Sequence, residues 1–254
     1  MAITIKSERE IELMAEAGKI LERVHNELEK ALHPGMSTKD IDTLGEEIIR
    51  SYGCIPSFLN YNGYPASICV SVNQEVVHGI PDKHRIIHEG DIVSLDAGVI
   101  YKGYHSDAAR THAVGEVSEE AKKLIQVTKE CFFEGIKYAK AGNHLFDISG
   151  AIGRYAEERG YGVVRDLCGH GIGTALHEAP EIPNYEVGRK GVKLRPGMTL
   201  AIEPMVDLGS AEVVWMDDDW TVVTEDWSLS AHYENTIPIT DGEPEIFTLT
   251  GDNE

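Results

Sequence analysis

Apolar side chains recur at helical spacing in two parts of the chain and in strand-like runs elsewhere. Ser7 and Glu10 are spaced as a capping box, which predicts the start of a first helix. Pro34 and Gly53 follow the first two periodic segments and predict where those helices end. The predicted helices cover residues 7–33, 38–52, 119–139 and a segment from 143 or 147 to 159.

Runs rich in Ile and Val, bounded by turn residues, predict β-strands. Lys102-Gly103 has the length of a two-residue hairpin loop, and Asn62-Gly63 between two tyrosines predicts another hairpin. Helix pairs that alternate with groups of strands indicate an α+β layered domain without a linker. The predicted strands cover residues 66–72, 91–101, 103–114, 162–165, 199–206, 212–215, 220–224 and 232–239.

A faint internal repeat relates the two halves of the chain. Gly90 opens an apolar strand that ends on Asp96, and Gly197 opens another that ends on Glu203, 107 positions after Asp96. A duplication would divide one catalytic domain into halves of roughly residues 1–115 and 116–254, with a pseudo-twofold site between them.

Composition narrows the class of protein. The chain has 254 residues, 42% apolar and 26% charged, as ordinary globular domains do. Its formal charge of -20 disfavours broad nucleic-acid binding, because such a surface repels phosphates. No apolar run is long enough to span a membrane, and the polar residues after Lys6 argue against a signal peptide. The cysteines contain no C-x-x-C pair, and together these features predict a cytoplasmic protein.

Asp96 and Asp107 interrupt predicted strands, in which aspartate is disfavoured. With Lys102-Gly103 as the loop, Asp107 faces Gly98 and lies on the same side of the sheet as Asp96. The Cα atoms of such diagonal neighbours are about 7–8 Å apart, so the two carboxylates would repel without a cation between them. Taken alone, the pair fits two solvated strand-face residues equally well.

Three more residues extend this acidic set. Glu203, before Pro204, and Glu234 lie among small and apolar residues, which indicates buried carboxyl groups that need a partner. His170 lies among three glycines, which allow close approach of backbone and ligand. Four carboxylates and one imidazole suit two ions of Mn(II), Fe(II), Co(II) or Zn(II), with a water between them. Several other histidines are predicted to lie at the surface: His25, His33, His84 and His88.

In this order and context, the five residues resemble the metal-ligand signature of the methionine aminopeptidases and their pita-bread relatives. The chain has no long insertion between His170 and Glu234, which resembles the bacterial, type I form. The resemblance implies duplicated half-domains with a central curved antiparallel sheet covered by helices. It runs over residues 7–240 through the strings Asn62-Gly63-Tyr64-Pro65, Val77-His78-Gly79-Ile80-Pro81, Gly169-His170-Gly171-Ile172-Gly173 and Ile202-Glu203-Pro204-Met205.

The resemblance implies how the five residues divide two divalent ions. Asp107 and Glu234 would bridge both ions, whereas Asp96 would complete one. His170 and Glu203 would complete the other.

The resemblance also implies an activity: a monomeric hydrolase that removes the initiator methionine from nascent chains with a small second residue, with a transient ribosome contact. A water or hydroxide between the ions would be the nucleophile, and Glu203 would move a proton. His78 and His177 would hydrogen-bond the substrate and the tetrahedral intermediate.

A methionine pocket follows from the same resemblance, and aromatic rings with a thiol suit a thioether. Relatives often have cysteine where Phe58 stands and phenylalanine where Leu176 stands. We expect these two changes to compensate along one rim of the pocket. The implied lining residues are Tyr61, Tyr64, Cys69 and Trp220, together with Phe58, Leu176 and the two accessory histidines.

Two other functions fit parts of the pattern. A prolidase or X-Pro aminopeptidase of the same fold would usually carry a sizeable domain ahead of the first ligand, whereas 95 residues precede Asp96. A non-catalytic peptide-binding or ribosome-binding relative would typically have lost ligands that this chain keeps. Release of methionine, release of a residue that precedes proline, or metal binding without turnover separates the three.

Overall fold

A computed structural model describes residues 2–249. Ser7 begins the first helix through the predicted capping box, in which its hydroxyl accepts the Glu10 N–H and the Glu10 carboxylate accepts the Ser7 N–H. Among the described residues, no helix is long and apolar enough to cross a membrane. The helices are α1 (Glu8–Ala31), α2 (Thr38–Ser51), α3 (Glu119–Ile136) and α4 (Leu145–Glu157).

The strands lie close to their predicted positions, and every pairing between them is antiparallel. They are β1 (Ile55–Pro56), β2 (Ile68–Val72), β3 (Glu75–Val77), β4 (Ile92–Tyr101), β5 (Tyr104–Ala113), β6 (Gly162–Val163), β7 (Gly169–Gly171), β8 (Glu178–Ile182), β9 (Thr199–Ile202), β10 (Met205–Asp207), β11 (Val213–Trp215), β12 (Val222–Thr224), β13 (Ser230–His232) and β14 (Glu234–Pro238).

One large sheet organises the molecule. Its strand order is β1-β4-β5-β14-β9-β7-β8, with β2 paired to β4. The β4–β5 hairpin turns at Lys102 and Gly103, both in the left-handed region, and pairs Gly98 with Asp107 as predicted. Two smaller three-stranded sheets, β13-β10-β6 and β11-β12-β3, flank it. The fold is therefore α+β with antiparallel sheets.

Two predicted strands are each divided by an irregular step. The predicted strand 199–206 breaks at Glu203 and Pro204, because proline has no N–H to give to a ladder. The predicted strand 232–239 breaks at Tyr233. In both segments the first and second parts join different sheets: β9 and β14 pair in the large sheet, and β10 and β13 pair in a small one.

The helices cover one face of the large sheet in two groups. Helices α1 and α2 pack on the inward side chains of β2, β4 and β5, with Leu95, Ala97 and Ala108 among the buried contacts. Helices α3 and α4 pack on β9 and β14, where Leu200 and Ile237 are buried. The first cluster draws on residues 17–114, and the second, apart from Ile92, on residues 117–239.

Two local predictions were wrong. Asn62-Gly63 does not make a β-hairpin; Tyr61–Gly63 is a 3₁₀ turn, because Asn62 takes a left-handed conformation without flanking strands that pair. His25 is not at the surface. It lies on the buried face of α1, 3% exposed, with Nε2 at 2.8 Å from the Ala108 carbonyl oxygen.

Candidate metal centre and substrate cavity

The face of the large sheet opposite the helices carries the acidic residues in rows. Asp96 on β4 and Glu234 on β14 are both paired with Ala109 of β5, one from each side. Asp107 lies two residues from Ala109 on β5, so its side chain leaves the same face. Because Ala109 is small and fully buried, the three carboxyl groups converge above it.

A second row completes the set. His170 on β7 and Thr236 on β14 are both paired with Ala201 of β9, and Glu203 follows two residues after Ala201. The Thr236 hydroxyl accepts the Asp107 N–H at 2.9 Å and donates to the Asp107 carbonyl at 2.8 Å. This reciprocal bond fixes β5 against β14 beside the carboxyl groups.

The spacing between side-chain atoms suits a shared cation. His170 Nε2 lies 3.6 Å from Glu203 Oε1 and 3.9 Å from Asp107 Oδ2. Two ligands bound tetrahedrally to one metal at 2.0–2.2 Å would be about 3.3–3.6 Å apart, which is too long for a hydrogen bond. Ligand atoms of Asp107, His170 and Glu234 all lie within 4.8 Å of one another.

Several carboxylate oxygens at this point have nothing to bind. Asp96 Oδ1, Asp107 Oδ1 and Glu234 Oε1 are buried and have no hydrogen-bond partner. Buried acceptors of this kind are costly unless a hydrogen-bond donor or a cation satisfies them. The residues present therefore fit a divalent cation.

Burial raises the pKa of every carboxyl group in the cluster. It raises the pKa of Asp96 to about 7, with the Glu203 charge adding to the effect, and the pKa of Glu203 to about 8. Burial first, and then neighbouring carboxylates, raise the pKa values of Asp107 and Glu234 well above the ordinary range. The protein alone does not favour four ionised acids here, whereas a bound cation would.

The histidines shift in the opposite direction for the same reason. Burial lowers the pKa of His170 to about 3 and the pKa of His78 to about 4. Burial also lowers the pKa of His177. All three are therefore neutral near pH 7, and a neutral imidazole can bind a metal or donate one hydrogen bond.

A cavity of about 140 Å³ opens above the carboxyl cluster. Every site residue named from the sequence borders it, including Phe58 and Leu176. These two residues also belong to one hydrophobic cluster. The other bordering residues are Tyr61, Asn62, Tyr64, Cys69, His78, Asp96, Asp107, His170, His177, Glu203, Trp220 and Glu234.

The two accessory histidines, His78 and His177, contact different neighbours. The His177 ring centroid lies 4.2 Å from that of His170, and its Nδ1 is 2.8 Å from the Tyr61 hydroxyl. His78 has a φ of 60°, a left-handed conformation that strains a non-glycine residue, and its ring stands edge-on to Trp220. Strain held at the wall of a cavity is common where a side chain is positioned for function.

The sequence model of metallopeptidase family M24 matches residues 12–241, which is most of the chain. The chain belongs to this family. Divalent-metal chemistry is therefore a property of the protein, and the buried Asp107–His170–Glu234 cluster is where the described residues can hold a cation.

Three named proteins resemble this chain over different shares of their own length. The methionine aminopeptidase of Clostridium acetobutylicum is 59% identical over 247 residues, covering 97% of this chain and 99% of that protein. The crystal structure of methionine aminopeptidase from Thermotoga maritima has a TM-score of 0.95 at 48% identity, covering 97% of this chain and 99% of that one. The Xaa-Pro dipeptidase from Bacillus anthracis shares the fold, with a TM-score of 0.77 and 28% identity, but the match covers only 61% of that chain. The predicted pita-bread fold is confirmed.

Sequence reasoning missed one buried histidine beside the acidic cluster. His232 is 1% exposed, its Nε2 has no hydrogen-bond partner, and that atom lies 3.6 Å from Glu203 Oε2. Thr111 holds the His232 backbone by accepting its N–H and donating to its carbonyl. The alternation of His232 with Glu234 put both on one face, but only the pairing of β13 with β10 brings the imidazole to Glu203.

Proposed function

We propose that this chain is a metal-dependent aminopeptidase that removes an N-terminal methionine from peptides and nascent proteins, preferring a small second residue. One observation supports the proposal above all: a buried cluster of acids and a histidine lies in the same cavity as several aromatic rings and a thiol. Near-complete alignment with a methionine aminopeptidase at 59% identity supports it.

The proposed centre holds two divalent ions, drawn from cobalt, manganese, iron or zinc. Asp107 and Glu234 would bind both ions, because they come from the two central strands, β5 and β14, and are diagonal neighbours on the same face of the sheet. Asp96 would bind one ion, whereas His170 and Glu203 would bind the other. Such ions polarise the scissile carbonyl and lower the pKa of water.

The chain's own groups carry out the proton transfers. Glu203 is buried beside the proposed ions, and as a carboxylate held ionised by them it would take a proton from water and return it to the leaving amine. With His177 Nδ1 accepting a hydrogen bond from the Tyr61 hydroxyl at 2.8 Å, the ring carries its one proton on Nε2, and this Nε2–H is free to donate to the developing oxyanion. We assign His78, whose ring stands edge-on to Trp220 and also borders the cavity, to a further hydrogen bond with the substrate.

The cavity provides the selectivity for methionine. Tyr64 and Trp220 meet edge to face with ring centroids 5.1 Å apart, and Cys69 lies buried beside them. A thioether gains from contacts with ring edges and with a polarizable thiol. The cavity of about 140 Å³ is close to the roughly 150 Å³ that holds benzene in an engineered core, so a side chain of four heavy atoms fits.

The decisive experiment is peptide hydrolysis by metal-stripped protein to which single metals are returned. Methionine should be released from Met-Gly-Met-Met, and not from peptides with a bulky second residue, and only with metal present. Asp107→Ala should abolish release and disturb both ions. Asp217→Ala, at an exposed hairpin tip, is the matched control and should keep full activity.

Two other results would replace the proposal. Release of the first residue from X-Pro peptides would assign the chain to the proline-specific branch, which shares the fold at lower identity. Stoichiometric metal binding without turnover of any peptide would assign it to a binding function.

The remaining expectations concern the domain organisation, the oligomeric state, the location in the cell and a partner. We expect one catalytic domain over residues 1–254, a monomer, a cytoplasmic location and a transient ribosome contact. Light scattering of the purified chain tests the second expectation, and co-sedimentation with ribosomes tests the last.

A further inference from the structure

The turn that carries Leu176 and His177 is closed by its own backbone and by one carboxylate. The Gly173 N–H donates to the Ala175 carbonyl at 3.1 Å, and the Ala175 N–H donates to Glu178 Oε1 at 3.2 Å. Glu178 therefore holds the middle of a turn whose next two residues, Leu176 and His177, border the cavity.

The other oxygen of this carboxylate binds the N-terminal arm. Lys6 Nζ lies 2.6 Å from Glu178 Oε2, and the two side chains are only 3% and 12% exposed. The Lys6 N–H donates to the Gly197 carbonyl at 2.7 Å, so the arm is fixed at its backbone as well. A residue 172 positions away in sequence thus fastens the His177 turn.

Lys6 passes close to two glycines, Gly173 and Gly197, where a side chain would collide with it. A Cβ atom added to Gly173 would lie 2.6 Å from Lys6 Cε, and one added to Gly197 would lie 2.7 Å from the Lys6 carbonyl oxygen. These separations are shorter than van der Waals contact. The turn and the arm therefore lie close together, with no room for a side chain between them at Gly173 or Gly197.

Burial makes this ion pair unlike the surface pairs of the chain. Arg9 and Glu12, three residues further along, form an ion pair with side chains 71% and 64% exposed, and such pairs contribute little. Removing one member of a buried pair leaves the other charge without compensation in a poorly hydrated place. Glu178 without Lys6 would move toward water and take the turn with it.

We propose that Lys6 is a positioning residue for His177: its buried ion pair with Glu178 holds the 173–178 turn where His177 meets Tyr61 and His170. The inference rests on the proposed role of His177 in turnover. The Tyr61 hydroxyl and the His170 ring lie on other elements, so a shift of the turn would break the 2.8 Å contact of His177 with Tyr61. Metal ligation by Asp96, Asp107 and Glu234 would be untouched.

The test compares Lys6→Met with Arg9→Met on a methionyl peptide, at a temperature where circular dichroism shows both variants folded. Lys6→Met should lower kcat about tenfold, change KM less than twofold and retain the full metal content. Lys6→Arg should recover part of the rate, because it restores the charge in a larger group. Arg9→Met should match the parent chain. Equal kcat for Lys6→Met and Arg9→Met, or loss of metal from Lys6→Met, would overturn the inference.

A double-mutant cycle separates this inference from the proposed function. In a His177→Ala background, Lys6→Met should lower kcat no further, since the residue it positions is already gone. A full tenfold further loss would show that Lys6 acts elsewhere. If His177→Ala alone kept the parental kcat, the proposed role of His177 would fail instead. Glu178→Gln provides a second variant, which keeps an acceptor for the Ala175 N–H and should reproduce the kcat loss if Lys6→Met does not fold.

Discussion

Asp207 offers a quantitative test of how burial controls charge in this fold. It is the last residue of β10, is 0% exposed, and has no hydrogen-bond partner on either carboxylate oxygen. Burial raises its pKa from 3.8 to about 7, against a smaller opposing effect of the nearby Ser230 hydroxyl. The folded chain therefore holds a proton that the unfolded chain releases.

The sign of the effect on stability follows from this difference in proton binding. Between pH 3.8 and about 7 the folded state binds more protons than the unfolded state, so Asp207 makes the protein less stable as the pH rises. A shift of about three pKa units corresponds to about 4 kcal/mol over the whole window. Between pH 5 and pH 8 the expected loss is about 2.5 kcal/mol.

Asp207→Asn removes the titration while keeping the shape of the protonated acid. Its free energy of unfolding, relative to the parent chain, should rise by about 2.5 kcal/mol from pH 5 to pH 8. Urea unfolding at several pH values, with chelator present throughout, measures this difference. Asp217→Asn, exposed at a hairpin tip, should track the parent chain at every pH. A constant difference between Asp207→Asn and the parent would refute the reasoning, because it would mean that Asp207 does not titrate differently in the two states.

Three further predictions concern the site. Burial raises the pKa of Asp96 to about 7 and of Glu203 to about 8, so a metal must displace protons when it binds. The affinity for a divalent metal should therefore fall about tenfold or more per pH unit as the pH drops from 8 to 6. A metal affinity that does not change with pH in chelator competition would contradict this. Phe58→Ala should raise KM for methionyl peptides about tenfold with less effect on kcat, because it removes an apolar side chain that lines the cavity. Steady-state kinetics on a methionyl peptide measure both constants. Gly171→Ala should cost about 3 kcal/mol or more in denaturant unfolding, because its Cβ would lie 2.2 Å from the Ala179 carbonyl oxygen. Gly242→Ala is the control and should be neutral, because its Cβ would meet only the Thr240 hydroxyl, at an ordinary contact distance of 3.8 Å.

Local rules predicted the parts of the fold that depend on neighbours in sequence. The capping box at Ser7 fixed the start of α1, and the two-residue loop at Lys102-Gly103 fixed the register that sets Asp107 opposite Gly98. A loop of this length leaves only one register for the flanking strands. The same reasoning failed at Asn62-Gly63, because this dipeptide reports only the left-handed backbone it permits, and not whether the flanking residues find strand partners.

Long-range pairing is what the sequence pattern could not supply. Nothing local to Glu234 says that it pairs with Ala109, or that His170 pairs with Ala201, yet these pairings bring the residues together. The candidate residues were found through their unusual composition and the family resemblance. Their geometry, and the place of His232 beside Glu203, required the sheet order.

The sheet order also gives the internal repeat a physical meaning. Strands β4 and β5 of the first half meet β14 and β9 of the second, so the central pair β5–β14 is the seam, and Asp96 and Glu203 approach it from either side. If the two halves are duplicates, each brings two acids to the seam, Asp96 and Asp107 from the first and Glu203 and Glu234 from the second. All four are acids, so neither half supplies a carboxylate's counter-charge to the other. A cation at the seam would offset the repulsion among the acids of both halves together, so the order of the strands explains why a divalent metal fits at this place.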